Sequence, residues 1–108
     1  MKLCSWETLQ KDAVSDKIWR KAIFGEKLTL AQFSLAKGAV VPLHHHESEQ
    51  ATYVVEGAIK VELDGQEVVV REGEVLLIPS NTPHSALALG DTFVLEVFSP
   101  VRKDWLST

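Results

Sequence analysis

Apolar and polar residues alternate along much of the chain with the period of an extended strand. Ile59, Val61 and Leu63 are separated by Lys60 and Glu62, so one face of this segment is apolar and the other wet. Turn-forming residues interrupt such runs at Glu56-Gly57, Asp64-Gly65, Glu72-Gly73, Asn81-Thr82-Pro83 and Gly90-Asp91. The intervening runs are rich in Val, Ile, Leu and Thr and predict strands over 28–35, 51–55, 58–63, 66–70, 75–78, 84–89 and 92–98. Asp64 and Gly65 both tolerate positive φ, which predicts a two-residue hairpin between 58–63 and 66–70. Pro79 and Pro83 flank a loop, where a missing N–H does no harm. No long stretch after residue 22 carries a helical period. The pattern over 1–21 is weaker. Ser5 can cap a short helix running to Leu9, and an irregular arm or an edge strand fits equally. Many short strands in a small domain remove their exposed edges by closing or by packing two sheets. The expectation is therefore an all-β fold, a small antiparallel β-barrel or jelly roll. It forms one domain over 1–108, with the core barrel at about 22–100 and an N-terminal arm or edge strand over 1–21.

Composition agrees with this and narrows the partners. At 108 residues, 45% of them hydrophobic, the chain can bury one core and not two. Eleven basic against 15 acidic residues give a net charge of −4, and no basic run breaks that balance, so neither a nucleic-acid-binding nor a membrane-binding surface is expected. The single cysteine, Cys4, excludes an internal disulfide, and the first residues lack the apolar stretch of a secretory signal; both fit the cytoplasm. Trp6, Trp19 and Trp105 read as packing or dimer-contact residues. Phe24, Phe33, Tyr53 and Phe93 read as core, and Lys60 and Arg71 as solvated strand positions.

The four histidines are the exception to this ordinary composition, because three are consecutive. In an extended segment His44 and His46 share a face and His45 points away. Two imidazoles at that spacing can grip one divalent metal ion. Gln50 returns to the same place if residues 47–49 turn, and His84, at the start of a later predicted strand, completes a ligand set. Glu49 is the rival to Gln50 as fourth ligand, and Glu47 reads as a rim charge. A solvated loop of histidines fits the local run as well.

Spacing ties these residues together. Gly38-x5-His44-x-His46-x3-Gln50-x6-Gly57 and Gly73-x5-Pro79-x-Asn81-x2-His84-x3-Ala88 resemble the two motifs of the cupin superfamily, in the right order. Gln50 stands where the family usually has Glu, Asn81 where it has Gly, and Ala88 where it has Asn. Asn81 can take up the left-handed conformation that Gly would supply. The amide of Gln50 cancels none of a metal's charge, which suits polarising an anionic substrate and disfavours an oxygenase or oxalate-type centre. The resemblance implies one divalent metal ion (Zn, Ni, Fe, Co or Mn) on His44, His46, Gln50 and His84, and commonly a homodimer.

The tail from Glu96 to Leu106 is similar to that of the pectin-degradation cupins, which open unsaturated uronates released from pectin and alginate and which also use Gln as fourth ligand. That likeness implies a catalytic set of Glu96, Phe98 and Arg102 and a small anionic sugar as substrate. Glu96 replaces the family's usual Asp and is one methylene longer. The residues on their own allow two arrangements. Glu96 and Phe98, two apart on a strand, share a face that can line a barrel mouth, with Arg102 binding a carboxylate through two parallel hydrogen bonds. Alternatively, Glu96 and Arg102 form a cross-strand ion pair with Phe98 in the core. Two other functions fit the same motifs: a metal- and sugar-binding module without turnover, and another metal-dependent cupin enzyme, a dioxygenase or sugar isomerase.

Overall fold

The computed structural model describes residues 1–105. Ten strands carry the fold: β1 (Asp12–Ser15), β2 (Ile18–Phe24), β3 (Thr29–Leu35), β4 (Val40–His44), β5 (Glu49–Glu56), β6 (Ala58–Leu63), β7 (Gln66–Arg71), β8 (Val75–Ile78), β9 (His84–Ala88) and β10 (Thr92–Ser99). They form two antiparallel sheets, one in the order β1-β2-β3-β10-β5-β8 and one in the order β4-β9-β6-β7. This is the expected all-β jelly roll. The apolar positions of the alternating strands meet between the sheets. Ile18, Leu35, Val54 and Val94 from the larger sheet pack against Ile59, Val61, Val70 and Ala88 from the smaller. No helix among the described residues is long and apolar enough to cross a membrane.

The β6–β7 hairpin closes on Asp64 (φ 49°) and Gly65 (φ 81°), as their tolerance of positive φ predicts. Asn81 takes φ 58°, so it supplies the turn that the motif's Gly would. In the N-terminal region both the expected cap and the expected edge strand are present. Ser5 caps a single 3-10 turn, Trp6–Thr8, through its side chain, and Asp12–Ser15 is an edge strand. The sheet begins before residue 22, because Ile18 is buried and pairs with Leu35. Tyr53 is not core. It lies on the outer face of β5, 39% exposed, between the inward-facing Thr52 and Val54.

Gly57 joins β5 to β6 at φ +89°, where a Cβ would stand 2.6 Å from the Asp91 carbonyl oxygen and 2.9 Å from Thr92 Cα. Backbone cannot retreat from such a contact. Gly73 has a similar φ of +83° but nothing within 4 Å. Gly57→Ala is therefore expected to cost about 2–4 kcal/mol, from left-handed strain plus overpacking, and Gly73→Ala only about 1 kcal/mol. Thermal melts of the two variants check this; equal losses would contradict it.

Candidate active site and metal centre

Strand register decides which side chains meet. Across β4 and β9, His44 lies opposite His84. Across β5 and β10, Gln50 lies opposite Phe98, and Thr52 opposite Glu96. Residues two apart on a strand share a face, so Gln50, Thr52, Glu96 and Phe98 form a block on the inner side of the larger sheet. That block and the pair His44 and His84 line one cavity of about 480 Å³, within the ~300–1,000 Å³ usual for small-molecule sites. His46 arrives from the segment between β4 and β5. A bend at residues 47 and 48 turns the chain so that Gln50 Oε1 comes to 3.1 Å from His46 Nε2. Asn81 N–H donates to the His46 carbonyl (2.7 Å), which ties this bend to the loop before His84. His45, Glu47 and Glu49 are exposed, so Gln50 and not Glu49 is the fourth residue of the cluster.

All three rings are held the same way. Each Nδ1 donates to a backbone carbonyl at 2.8 Å: His44 to Pro42, His46 to Ser48 and His84 to Thr82. Carbonyls only accept, so each Nδ1 carries a proton, and in the neutral ring Nε2 keeps its lone pair. One ligand atom from each ring lies within 4.8 Å of the other two. The His84 Nε2 is buried and has no hydrogen-bond partner among the described residues. Gln50 Oε1 and His46 Nε2 are two acceptors facing each other, an arrangement that a cation between them turns from repulsive to attractive. Burial holds the His46 and His84 imidazoles below their ordinary range, with Arg102 as a further cause at His46, and so favours the neutral form that metals bind. Three imidazoles and one amide oxygen fit a divalent transition metal ion.

The orientation of Gln50 is fixed from its other end. Its Nε2 donates to Thr52 Oγ1 (2.8 Å) and to Glu96 Oε2 (2.8 Å), and Thr52 Oγ1 donates to the same Glu96 oxygen (2.6 Å). Glu96 is half-buried and lines the cavity. Burial pushes its carboxyl up to about 7, against the opposing effect of the hydrogen bonds from Thr52 and Gln50 and the charge of Arg102. Both hydrogen bonds fall on Oε2, so Oε1 is the oxygen left for a ligand and the one that carries the proton when the group is neutral.

Phe98 is 1% exposed and stands edge-on to the His46 ring, with centroids 5.7 Å apart. Arg102 is also buried, and its backbone N–H donates to Thr29 Oγ1 at 3.0 Å. Its guanidinium makes the two parallel bonds expected of it, but to Asp104: Nε to Oδ1 at 3.0 Å and Nη2 to Oδ2 at 2.7 Å. The carboxylate partner of Arg102 is thus neither Glu96 nor an open position, because the 3-10 turn Lys103–Trp105 folds Asp104 back onto it. The same turn lays Trp105 on Phe98, with centroids 5.0 Å apart.

Thr52, Arg20 and Trp105 are among the residues lining the cavity that escape a reading of the motifs alone. Thr52 is two residues past Gln50 on a predicted strand, so period-two alternation would have placed it beside the ligand.

With this geometry in hand, comparison with known proteins gives a consistent result. Residues 31–100 match the model of the cupin domain family. The chain is 32% identical over 104 residues to the pectin degradation protein KdgF of Dickeya dadantii (strain 3937), covering 94% of this chain and 90% of that protein. Among solved structures, KdgF from Halomonas sp. is 32% identical with a TM-score of 0.90, over 97% of this chain and 98% of that one. An RmlC-like cupin from Shewanella frigidimarina NCIMB 400 is 26% identical with the same TM-score, over 97% and 96% of the two chains. The chain belongs to the cupin superfamily and, within it, to the family of KdgF.

Proposed function

We propose that this protein is a metal-dependent enzyme that opens the ring of unsaturated monouronates derived from pectin or alginate. The observation that carries the reading is the continuous chain from the histidine cluster through Gln50 to the raised carboxyl of Glu96, inside one sugar-sized cavity. Kinship with a protein named for pectin degradation supports the substrate class.

His44, His46, Gln50 and His84 would hold the metal. When bound, it would supply Lewis-acid polarisation of a substrate oxygen, its charge uncancelled by the amide of Gln50. The reaction is a hydration followed by collapse, and no electrons leave the substrate. Neutral Glu96 gives its Oε1 proton to the ring carbon at the far end of the C=C bond. Water bonds to the carbon that carries the ring oxygen, and its surplus proton returns to Glu96. The hemiketal so formed opens as its C–O ring bond breaks, with the proton moving to the departing ring oxygen, and leaves a linear keto sugar. A carboxyl held near 7 suits both directions of transfer at neutral pH. Phe98 walls the site against bulk water, and Arg102 adds positive charge beside it.

The test is the decay of the unsaturated uronate's ultraviolet absorbance with metal-loaded protein. Decay well above the spontaneous rate is expected. A rate equal to the spontaneous one, with the acidic sugar still bound, would replace this reading with that of a binding module.

A further inference from the structure

We propose that Arg20 is the residue that receives the carboxylate of an acidic sugar in this cavity, and so sets the preference for charged over neutral sugars. The proposal rests on the acidic-sugar reading above. Arg20 lies on β2 opposite Phe33, which in turn lies opposite Val94 on β10, two residues before Glu96. All four of these residues line the cavity, so Arg20 faces the same space as the raised carboxyl.

The state of its guanidinium is what points to a ligand. The Nε of Arg20 is buried and has no hydrogen-bond partner among the described residues. Its ion-pair partner, Asp12, reaches Nη2 only at 3.9 Å, and the Asp12 side chain is 42% exposed, so this pair is long and screened. Burial pulls Arg20 below the ordinary arginine range and the nearby Arg102 adds to it, more than the charges of Asp12 and Asp104 restore. The cation is therefore desolvated without full compensation inside the protein.

Arg102 presents the opposite case. The guanidinium carbons of both arginines lie 4.3 Å from the centre of the Trp105 ring, so both groups pack on it. The fork of Arg102 is closed by Asp104 at 2.7 and 3.0 Å. A sugar carboxylate has to displace Asp104 to reach Arg102, whereas the carboxylate beside Arg20, that of Asp12, stands off at 3.9 Å and does not close its fork. Such a carboxylate would give the cavity-lining guanidinium of Arg20 the close counter-charge that Asp12 does not, through a charge-assisted hydrogen bond.

The experiment is isothermal titration of galacturonate and of galactose into the zinc-loaded, full-length protein, comparing wild type, Arg20→Gln, Arg20→Lys and Arg102→Gln. The two sugars differ in the carboxylate. Arg20→Gln is expected to weaken galacturonate binding about 10- to 100-fold and to leave galactose unchanged, with Arg20→Lys recovering part of the loss. The proposal is overturned if Arg20→Gln binds galacturonate as wild type does, if only Arg102→Gln weakens it, if both sugars weaken equally, or if wild type does not prefer galacturonate. Should Arg20→Gln fail to fold, the same comparison is read from Arg20→Lys, where equal loss for both sugars is the overturning result. Because binding is measured without turnover, a protein that selects galacturonate through Arg20 but leaves unsaturated uronates unopened loses the ring-opening reading and keeps this one.

Discussion

Replacing His84 with alanine is expected to remove the metal and, with it, turnover. Groups that merely orient a ligand from outside the coordination sphere are worth about 10- to 100-fold in metal affinity, and a direct ligand is worth more. His84 is suited to be the most costly of the three to lose. It is 4% exposed, its Nδ1 is held by the Thr82 carbonyl, and its Nε2 has no partner among the described residues. Without a cation, that lone pair faces two other imidazoles whose ring centres lie 4.3 and 5.0 Å away. A metal at about 1,000 times its dissociation constant stabilises the folded chain by about 4 kcal/mol. Chelation of the wild type should therefore lower its melting temperature by roughly 15–30 °C, given ~4–8 °C per kcal/mol in a domain near this size. The variant should melt near the chelated wild type and show no response to added metal. Metal content by elemental analysis and paired melts check this. A His84→Ala protein that keeps one equivalent of metal would refute the ligand assignment. His45→Ala is the control: an exposed ring pointing out of the cluster should change neither quantity.

Much of this architecture can be read from the chain, and what cannot has definable causes. Alternation over 58–63 and the Asp64-Gly65 turn are local signals, and the strand bounds follow them. The spacing of His44, His46, Gln50 and His84 is legible because cross-strand register converts fixed sequence intervals into proximity. Residues 18–24 give no comparable signal. Ile18 is buried and every residue from Trp19 to Phe24 is half-buried, so no clean polar–apolar alternation marks the strand. The role open to Arg20 depends on β2 pairing with β3, a long-range fact that no window around residue 20 contains. The engagement of Arg102 is hidden for a different reason. Asp104 lies only two residues away, but whether it folds back depends on the 3-10 turn at Lys103–Trp105, whose Trp105 docks on Phe98 and Phe33.

Glu96→Gln is expected to separate catalysis from stability. If Glu96 moves the proton, the amide should lower kcat about 10²- to 10⁴-fold, because it can accept the hydrogen bonds from Gln50 and Thr52 but can deliver no proton. Substrate affinity should hold, since the amide leaves the cavity's shape and the arginines in place. In the metal-free protein the same change should stabilise the fold. Glu96 is raised from 4.5 to about 7 in the folded state. Below about pH 4.5 it is protonated in both folded and unfolded chains, and the substitution is neutral. As pH rises from there toward 7, the unfolded chain ionises first, so wild-type stability falls, and above 7 the deficit is constant. Glu96→Gln escapes that loss, by up to about 3 kcal/mol at pH 8. The measurements are single-turnover rates with metal and urea titrations without it, at pH 4 and pH 8. An unchanged kcat would remove Glu96 from the chemistry, and equal stability at both pH values would show that its carboxyl is not held against ionisation. The position of Gln50 follows from the same geometry. A glutamate there would set a second carboxylate against Glu96 Oε2 at the 2.8 Å now spanned by an N–H donor, so the amide suits the acid as well as the proposed metal.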